Sequence, residues 1–474
     1  MTRDGRGRQR ESMRRRIAFL LLPVLLSGCS GQLTTSALSE VATLTAPRLD
    51  TPVQWQRSEA DRAAARARRD VLLASALTAD SAVAVAMLNN RALQADLAEL
   101  GVAGAELAAA SRPPNPGFSF ARLTRGSELE IERSISANVL GLLAWPFARS
   151  IEERRFAQAK FAAAGSVLRM ASDSRKAFYR AVAAQQTARF IGQIHQAAEA
   201  QAELGRRMYA VGNWSLLDYG RQQLLYAEVT VLLAQGRLQA ERERGNLARH
   251  LGLNPGDPFL LPDRLPDLPP TLAEGSELQA GAMAERLDLR AGRAEVEGVG
   301  KSLGLTRATR FINVAEAGYL RNRETGQPRQ TGYEISLEVP LFDFGDARAA
   351  RAEAIYMQAV DRLADRASAA RDDVHESWLT YRTAYDVAVH YRDNVVPLRQ
   401  RLSDELAYRY NGMLVSVFEL LRDTRERMTA SISAIEAQRD FLLAETDLQF
   451  VTLIGNAPTD IPRIAMPAAD GGGH

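Results

Sequence analysis

The chain has 474 residues, of which 46% are apolar, 24% charged and only 7% aromatic, with a formal charge of +2. That balance excludes wholesale disorder and a polytopic helical membrane protein, and the scarcity of aromatics favours closely packed helices over a β-sandwich. Seven arginines against Asp4 and Glu11 put +5 on the first sixteen residues, so a chain starting at Cys29 carries −3 and lacks the electrostatic footprint of a nucleic-acid binder.

Arg14-Arg15-Arg16 precedes an apolar run over residues 17–26, about half of the roughly twenty residues that a spanning helix needs. A basic start, a short apolar stretch and small residues make residues 1–28 an export signal. Leu26-Ser27-Gly28-Cys29 resembles a bacterial lipobox. That resemblance implies cleavage before Cys29 and acylation of both its thiol and its new amine, each buried methylene contributing about 0.8 kcal/mol of anchoring. Ser30 in place of an aspartate implies sorting to the outer membrane. The plainer alternative is a cysteine discarded with the signal. Cys29 is the single cysteine, so no disulfide forms within the chain.

Residues 29–65, rich in Thr, Ser, Arg and Ala without sustained periodicity, read as an acylated tether. A first structural repeat over 66–253 then opens helical, breaks at Pro113-Pro114-Asn115-Pro116, continues as strands to Trp145-Pro146, and ends in a very long helical stretch from about 150 to 251. A linker over 254–275 holds six prolines between Pro255 and Pro270. A second repeat over 276–456 recovers the same order: helix, strands from about 310 to 340, then long helices from 345 to 454. Residues 457–474 read as a flexible tail.

The duplication is legible residue by residue. Phe156, Ala163, Met170, Ala177, Ala184 and Ile191 form a stripe of period seven, and two hundred positions later Tyr356, Leu363, Ala370, Ser377, Ala384 and Tyr391 repeat it. Companions four residues on complete coiled-coil seams. The same offset carries Gly212 onto Gly412, each followed by a helix with its own sevens: Leu217, Leu224, Val231, Leu238 and Leu421, Met428, Ile435, Leu442. Each half therefore contains an antiparallel helical hairpin with its tip near the glycine.

Between the helices, Glu128, Glu130, Glu132, Ser134 and Ser136 alternate with Leu129, Ile131, Ile135 and Ala137, Arg133 interrupting the apolar face. Glu334, Ser336 and Glu338 alternate with Tyr333, Ile335, Leu337 and Val339. Period two with one charged and one apolar face fits either a soluble amphipathic sheet or a barrel wall with lipid outside and water inside. The other two strands, 117–124 and 310–321, alternate too poorly to assign faces. Four strands cannot close a barrel, and open edges are not tolerated in hydrocarbon. A membrane role thus requires several copies to share one barrel.

The opening segment Leu77-Thr78-Ala79-Asp80-Ser81 with Asn89-Asn90-Arg91-Ala92-Leu93, its counterpart Glu285-Arg286-Leu287-Asp288-Leu289, the corner Val339-Pro340-Leu341-Phe342-Asp343-Phe344-Gly345 and the tip Tyr209-Ala210-Val211-Gly212-Asn213-Trp214-Ser215 resemble, in order and duplication, the TolC-like outer-membrane efflux proteins. The resemblance covers nearly all of the mature chain. It implies a mainly α fold with a membrane β-barrel part: long antiparallel coiled-coil helices and four strands per chain, assembled as a homotrimeric channel-tunnel. It further implies the exit duct of a tripartite efflux system in the outer membrane, working with a periplasmic adaptor and an inner-membrane pump, without cofactor or chemistry of its own. By the same resemblance Glu419 falls on a gating acid and the second gating position on Arg422 or Asp423, while the alternative makes Glu419 and Asp423 helix-start acids. The tips imply adaptor contacts at Val211, Gly212 and Ser215 and at Gly412, Leu414 and Ser416. A protein-secretion duct of the same architecture and a lipoprotein scaffold without a pore are the other readings.

Enzymatic motifs are incomplete. Gly298-Val299-Gly300-Lys301-Ser302 lacks the first glycine of a phosphate loop, with Glu295 in its place. His375-Glu376 has Leu379 where a zinc protease needs its second histidine.

Overall fold

The structure, a computed structural model, describes residues 29–272, 281–311, 315–337, 342 and 344–455. The chain order is α1 (Cys29–Thr45), α2 (Glu59–Leu73), α3 (Ala79–Asn89), α4 (Arg91–Ala110), β1 (Gly117–Arg125), β2 (Glu128–Asn138), α5 (Val139–Ala210) and α6 (Leu216–His250). Then come α7 (Leu287–Ala308), β3 (Ala315–Glu324), β4 (Gln330–Leu337), α8 (Asp346–His390), a π-helical turn (Tyr391–Val395), α9 (Val396–Asn411) and α10 (Val417–Val451). No described helix is long and apolar enough to cross a membrane. The expected export signal and tail lie outside the described residues, as do Val339, Pro340, Leu341 and Asp343 of the corner motif.

Two compact units each gather separate stretches of chain. One comprises the described residues up to 47 with 95–164 and 287–367; the other comprises 48–94, 165–286 and 368–455.

The first unit holds an antiparallel sheet in the order β1-β2-β3-β4. Gly126 and Gly326 turn its two outer hairpins with φ of 63° and 81°, the left-handed region in which a side chain is penalised. Around it, α1 lies on α4 and α5: the Gly104 position faces Thr34 and Phe156, and Lys160 pairs with Glu40. Glycines likewise let α7 approach its neighbours, Gly292 beside Leu363 and Gly300 beside Tyr356. The Gly298–Ser302 stretch is thus interior helix, and Lys301 donates to Ser150 Oγ at 2.5 Å. It is not a loop that could cradle phosphate.

The second unit carries the largest core, in which Leu77, Val85, Val182, Leu247, Val374 and Phe441 are buried together. Thr78 and Ser81 form a capping box that starts α3 in place, Asn90 Nδ2 donates to His250 O at 3.2 Å, and Tyr385 Oη donates to Pro269 O at 3.0 Å. Arg286, 1% exposed, pairs with Asp373 at 3.2 Å, so a buried charge is matched rather than stranded. Pro397 sits in the first turn of α9; with no N–H to return to residue 393, the ladder relaxes there into the π turn, where Val396 N–H reaches Tyr391 O.

Three expectations are corrected. Residues 29–65, aperiodic in sequence, are nevertheless not irregular in structure, because Cys29–Thr45 is helical and Ser58 caps a second helix through Asp61. Trp145-Pro146 is not a strand end: β2 stops at Asn138 and Pro146 lies within the first turns of α5, where Trp145 Nε1 donates to Ala110 O at 2.9 Å. The third strand is described over Ala315–Glu324, and residues 309–311 are a turn after α7 rather than the start of that strand.

The heptad stripes of the outgoing helices are buried or half-buried throughout. The return helices differ. Leu421, Met428, Ile435 and Leu442 are buried, whereas Leu217, Leu224, Val231 and Leu238 are 52–61% exposed. The inner seam of α6 uses Leu225, Val229 and Leu233 instead, packed with Ile191 and Leu421. A second seam of period seven is therefore left without a partner among the described residues.

Candidate functional site

Register assigns the faces that alternation left open. Phe118 opposes Ile135, which opposes Tyr319, which opposes Tyr333; one row nearer the helices, Ala137, Ala317 and Ile335 are aligned. This face holds Phe118, Phe120, Ile135, Tyr319, Tyr333 and Ile335 at 54–85% exposure, a row of large apolar groups turned to the outside. Exposed apolar residues continue at the strand–helix corners, with Leu143, Phe147, Phe311, Phe342 and Phe344. The opposite face carries Glu128, Glu130, Glu132, Glu316, Glu324 and Glu334 among serines and glycines, with Leu123 and Leu320 as apolar exceptions and Arg125 as its cation. β1 and β4 are free edges, their outer backbone groups unpaired within the described chain.

The hairpin tips lie in the second unit. At the first, Gly212 adopts φ 79° and Val211 is 69% exposed. Ser215 caps α6: its Oγ accepts from Asp218 N at 3.1 Å and donates to Asp218 Oδ2 at 2.6 Å. Tyr209 and Tyr219 stack at 5.1 Å across the turn, and Trp214 lies against Gly205. Arg206 and Arg207 both donate to Glu203 at 2.8 Å and hold its carboxyl down to about 2.

The second tip is not a copy of the first. Gly412 has φ −82°, an ordinary value, and the left-handed residue is Met413 at φ 58°. The left-handed step thus comes one residue later than at the first tip, on a side chain that must tolerate it. A Cβ at Gly412 would meet only ordinary contacts, the nearest at 3.5 Å. Gly212→Ala is therefore expected to destabilise its hairpin by about 1–2 kcal/mol, the left-handed penalty, and Gly412→Ala by close to nothing. Amide exchange at the two tips measures the difference. Leu414 and Ser416 are exposed, and Ser416 caps α10 without a side-chain bond.

Past this tip, Glu419 is exposed in the first turn of α10, where the helix dipole favours an acid. Asp423 lies beyond that turn, is 6% exposed, and enters no ion pair among the described residues, so the dipole does not account for it. Arg422 is 81% exposed at its side chain and donates to Glu426 at 2.9 Å. Glu426 also receives Arg399 from α9. The Arg422 bond, then Arg399, hold its carboxyl below the usual carboxylate range. Arg425 reaches Glu228 of α6 at 2.7 Å. This clamp of Arg399, Glu426, Arg425 and Glu228 was missed in the sequence, because no periodicity marks which exposed arginine meets which acid.

No family model and no curated protein matches the chain. Solved structures do. The chain is similar to CusC, whose structures concern folding and transmembrane channel formation, at 14% identity over 80% of this chain and 92% of that one, with a TM-score of 0.66. It is similar to the outer membrane protein VceC from Vibrio cholerae at 14% identity, covering 81% and 96%, with a TM-score of 0.65. It is also similar to the open state of the Neisseria gonorrhoeae MtrE outer membrane channel at 13% identity, covering 78% and 88%, with a TM-score of 0.64.

Proposed function

We propose that this chain, which has the TolC-like fold of outer-membrane channel proteins, is itself the outer-membrane exit duct of a tripartite efflux system. The observation that carries the reading is the sheet: one face apolar and exposed, the other acidic, and both edges open. In hydrocarbon each unpaired edge amide costs several kcal/mol, so β4 of one copy must meet β1 of the next until the wall closes. The unpartnered seam of Leu217, Leu224, Val231 and Leu238 supports the same assembly in the helical part, where a second copy supplies the missing knobs. A homotrimer of these walls conducts passively, and energy comes from an inner-membrane pump.

Val211, Gly212, Ser215, Gly412, Leu414 and Ser416 are all exposed at the tips and form the surface for the hairpin tips of a periplasmic adaptor. Glu419 and Asp423, with the clamp behind them, form the periplasmic gate. Cys29, at the start of α1, carries the acyl anchor, and the Lys160–Glu40 pair fixes that helix to α5.

Planar-bilayer recording of the purified protein tests the function. The six glutamates on the water-facing side predict discrete channels that prefer cations. A protein that inserts without conducting, or that prefers anions, contradicts it.

A further inference from the structure

The outward face of the sheet is not apolar along its whole length. Register places Arg122 and Arg323 on either side of Ile131, and Arg133 opposite Phe120. Between the pairs Ile131↔Arg323 and Ser134↔Leu320, the same register sets Arg133 beside Arg321. Four arginines from three adjacent strands thus occupy two neighbouring rows of one face. These rows lie next to the aromatic row of Phe118, Tyr319 and Tyr333, on the side of the Gly126 and Gly326 turns. Strands about 4.8 Å apart and rows about 7 Å apart bring the four Cα atoms within roughly 12 Å of each other.

All four side chains are exposed, and none enters an ion pair or side-chain hydrogen bond among the described residues. Elsewhere in the chain exposed arginines find acids readily, as Arg149 and Arg154 do. Here they cannot, because every glutamate of the described strands lies on the opposite face. Like charges on adjacent strands repel, so the patch needs an external anion to neutralise it.

We propose that Arg122, Arg133, Arg321 and Arg323 form a binding site for the headgroup of a bisphosphorylated lipid of the outer leaflet. The proposal rests on the membrane reading above, which turns this face toward lipid. Charge selects the occupant: two phosphate groups carry about −3 to −4 at neutral pH, matching four guanidinium groups. Planar guanidinium forks bind phosphate oxygens bidentately. Position selects it too, since an aromatic row marks the level of the headgroups, and the arginines follow directly on its outer side. The acyl chains of such a lipid would then lie along Phe118, Ile135, Tyr319 and Tyr333.

The test uses full-length protein reconstituted in phosphatidylcholine vesicles containing diphosphoryl lipid A or its dephosphorylated form. Lipid retained after detergent extraction is counted by native mass spectrometry. The wild-type protein is expected to retain the bisphosphorylated form at least about tenfold over the dephosphorylated one, an allowance well below the summed effect of four basic residues at a charged surface. The variant Arg122→Gln, Arg133→Gln, Arg321→Gln, Arg323→Gln should lose that preference. Equal retention of the two lipids by wild type overturns the site without relying on any variant, and an unchanged preference in the quadruple variant overturns it as well. Displacement of the lipid by millimolar inorganic phosphate would assign the patch to soluble anions and overturn the lipid assignment. Flotation with pure phosphatidylcholine vesicles separates the two readings. Protein that floats but shows no lipid preference refutes the arginine site alone, whereas protein that does not float refutes the membrane face itself.

Discussion

Glu426→Gln is expected to raise the mean conductance of single channels severalfold at pH 7. Glu426 joins α9 to α10 through Arg399 and is steadied by Arg422 in its own helix, while Arg425 ties α10 to α6 through Glu228. These pairs are half-exposed, so each contributes about 0.5–1 kcal/mol rather than the several that a buried pair would. In the proposed trimer the loss is multiplied threefold. About 1 kcal/mol per copy becomes about 3 kcal/mol per channel, roughly a hundredfold shift in the ratio of closed to open. Arg409→Ala, which breaks a pair with Glu405 inside α9 only, should change nothing. The pH dependence has a defined sign. Because Glu426 titrates below its ordinary value of 4.5, the clamp is fully present at neutral pH and is lost only as pH falls through that lowered value. Wild-type conductance should therefore be flat from pH 7 to 5, and the difference from the variant should vanish in stronger acid. Equal conductance of variant and wild type at pH 7 would remove the clamp from the gate.

Ile335→Arg should abolish stable insertion, whereas Glu334→Arg, one residue away, should leave it intact. Ile335 is 67% exposed on the apolar face, aligned with Ala317, while Glu334 opposes Gly318 on the acidic face. Ile335 lies one row inside the aromatic row, between the midplane, where a lipid-facing arginine costs about 2–4 kcal/mol, and the interface, where it costs about 0–1, so each copy of the proposed trimer incurs about 1–2 kcal/mol. The total, about 3–6 kcal/mol, is comparable to the lower end of the stability of an ordinary domain. Glu334→Arg instead exchanges three carboxylates for three cations on the water-facing side and should weaken cation preference. Heat-stable oligomer on gels and the reversal potential report the two outcomes. If both variants insert equally well, the faces are not lipid and water.

Periodicity made the helical architecture legible. A stripe of six residues recurring two hundred positions later located both hairpins, and the turns fall where Gly212 and Gly412 predicted them. The second and fourth strands were legible because glutamates alternate with aliphatics there. The first and third were not, since Arg122, Arg321 and Arg323 interrupt the apolar face, and only pairing with Ile135 and Tyr333 assigns their sides. The left-handed Met413 was invisible because sequence rules award that conformation to glycine. Period seven marked Leu217 to Leu238 as a seam but could not say whether the partner belongs to the same chain. The N-terminal helix lacked a strong apolar stripe, so its packing on α4 and α5 left no pattern to read.

The mass of the processed protein particle in mild detergent, measured by native mass spectrometry across a wide dilution series, tests the shared wall most directly. Three copies per particle, persisting on dilution, are expected, with both sheet edges and the Leu217–Leu238 seam protected from exchange. A monodisperse single copy at every concentration, with those edges exchanging freely, would contradict the account.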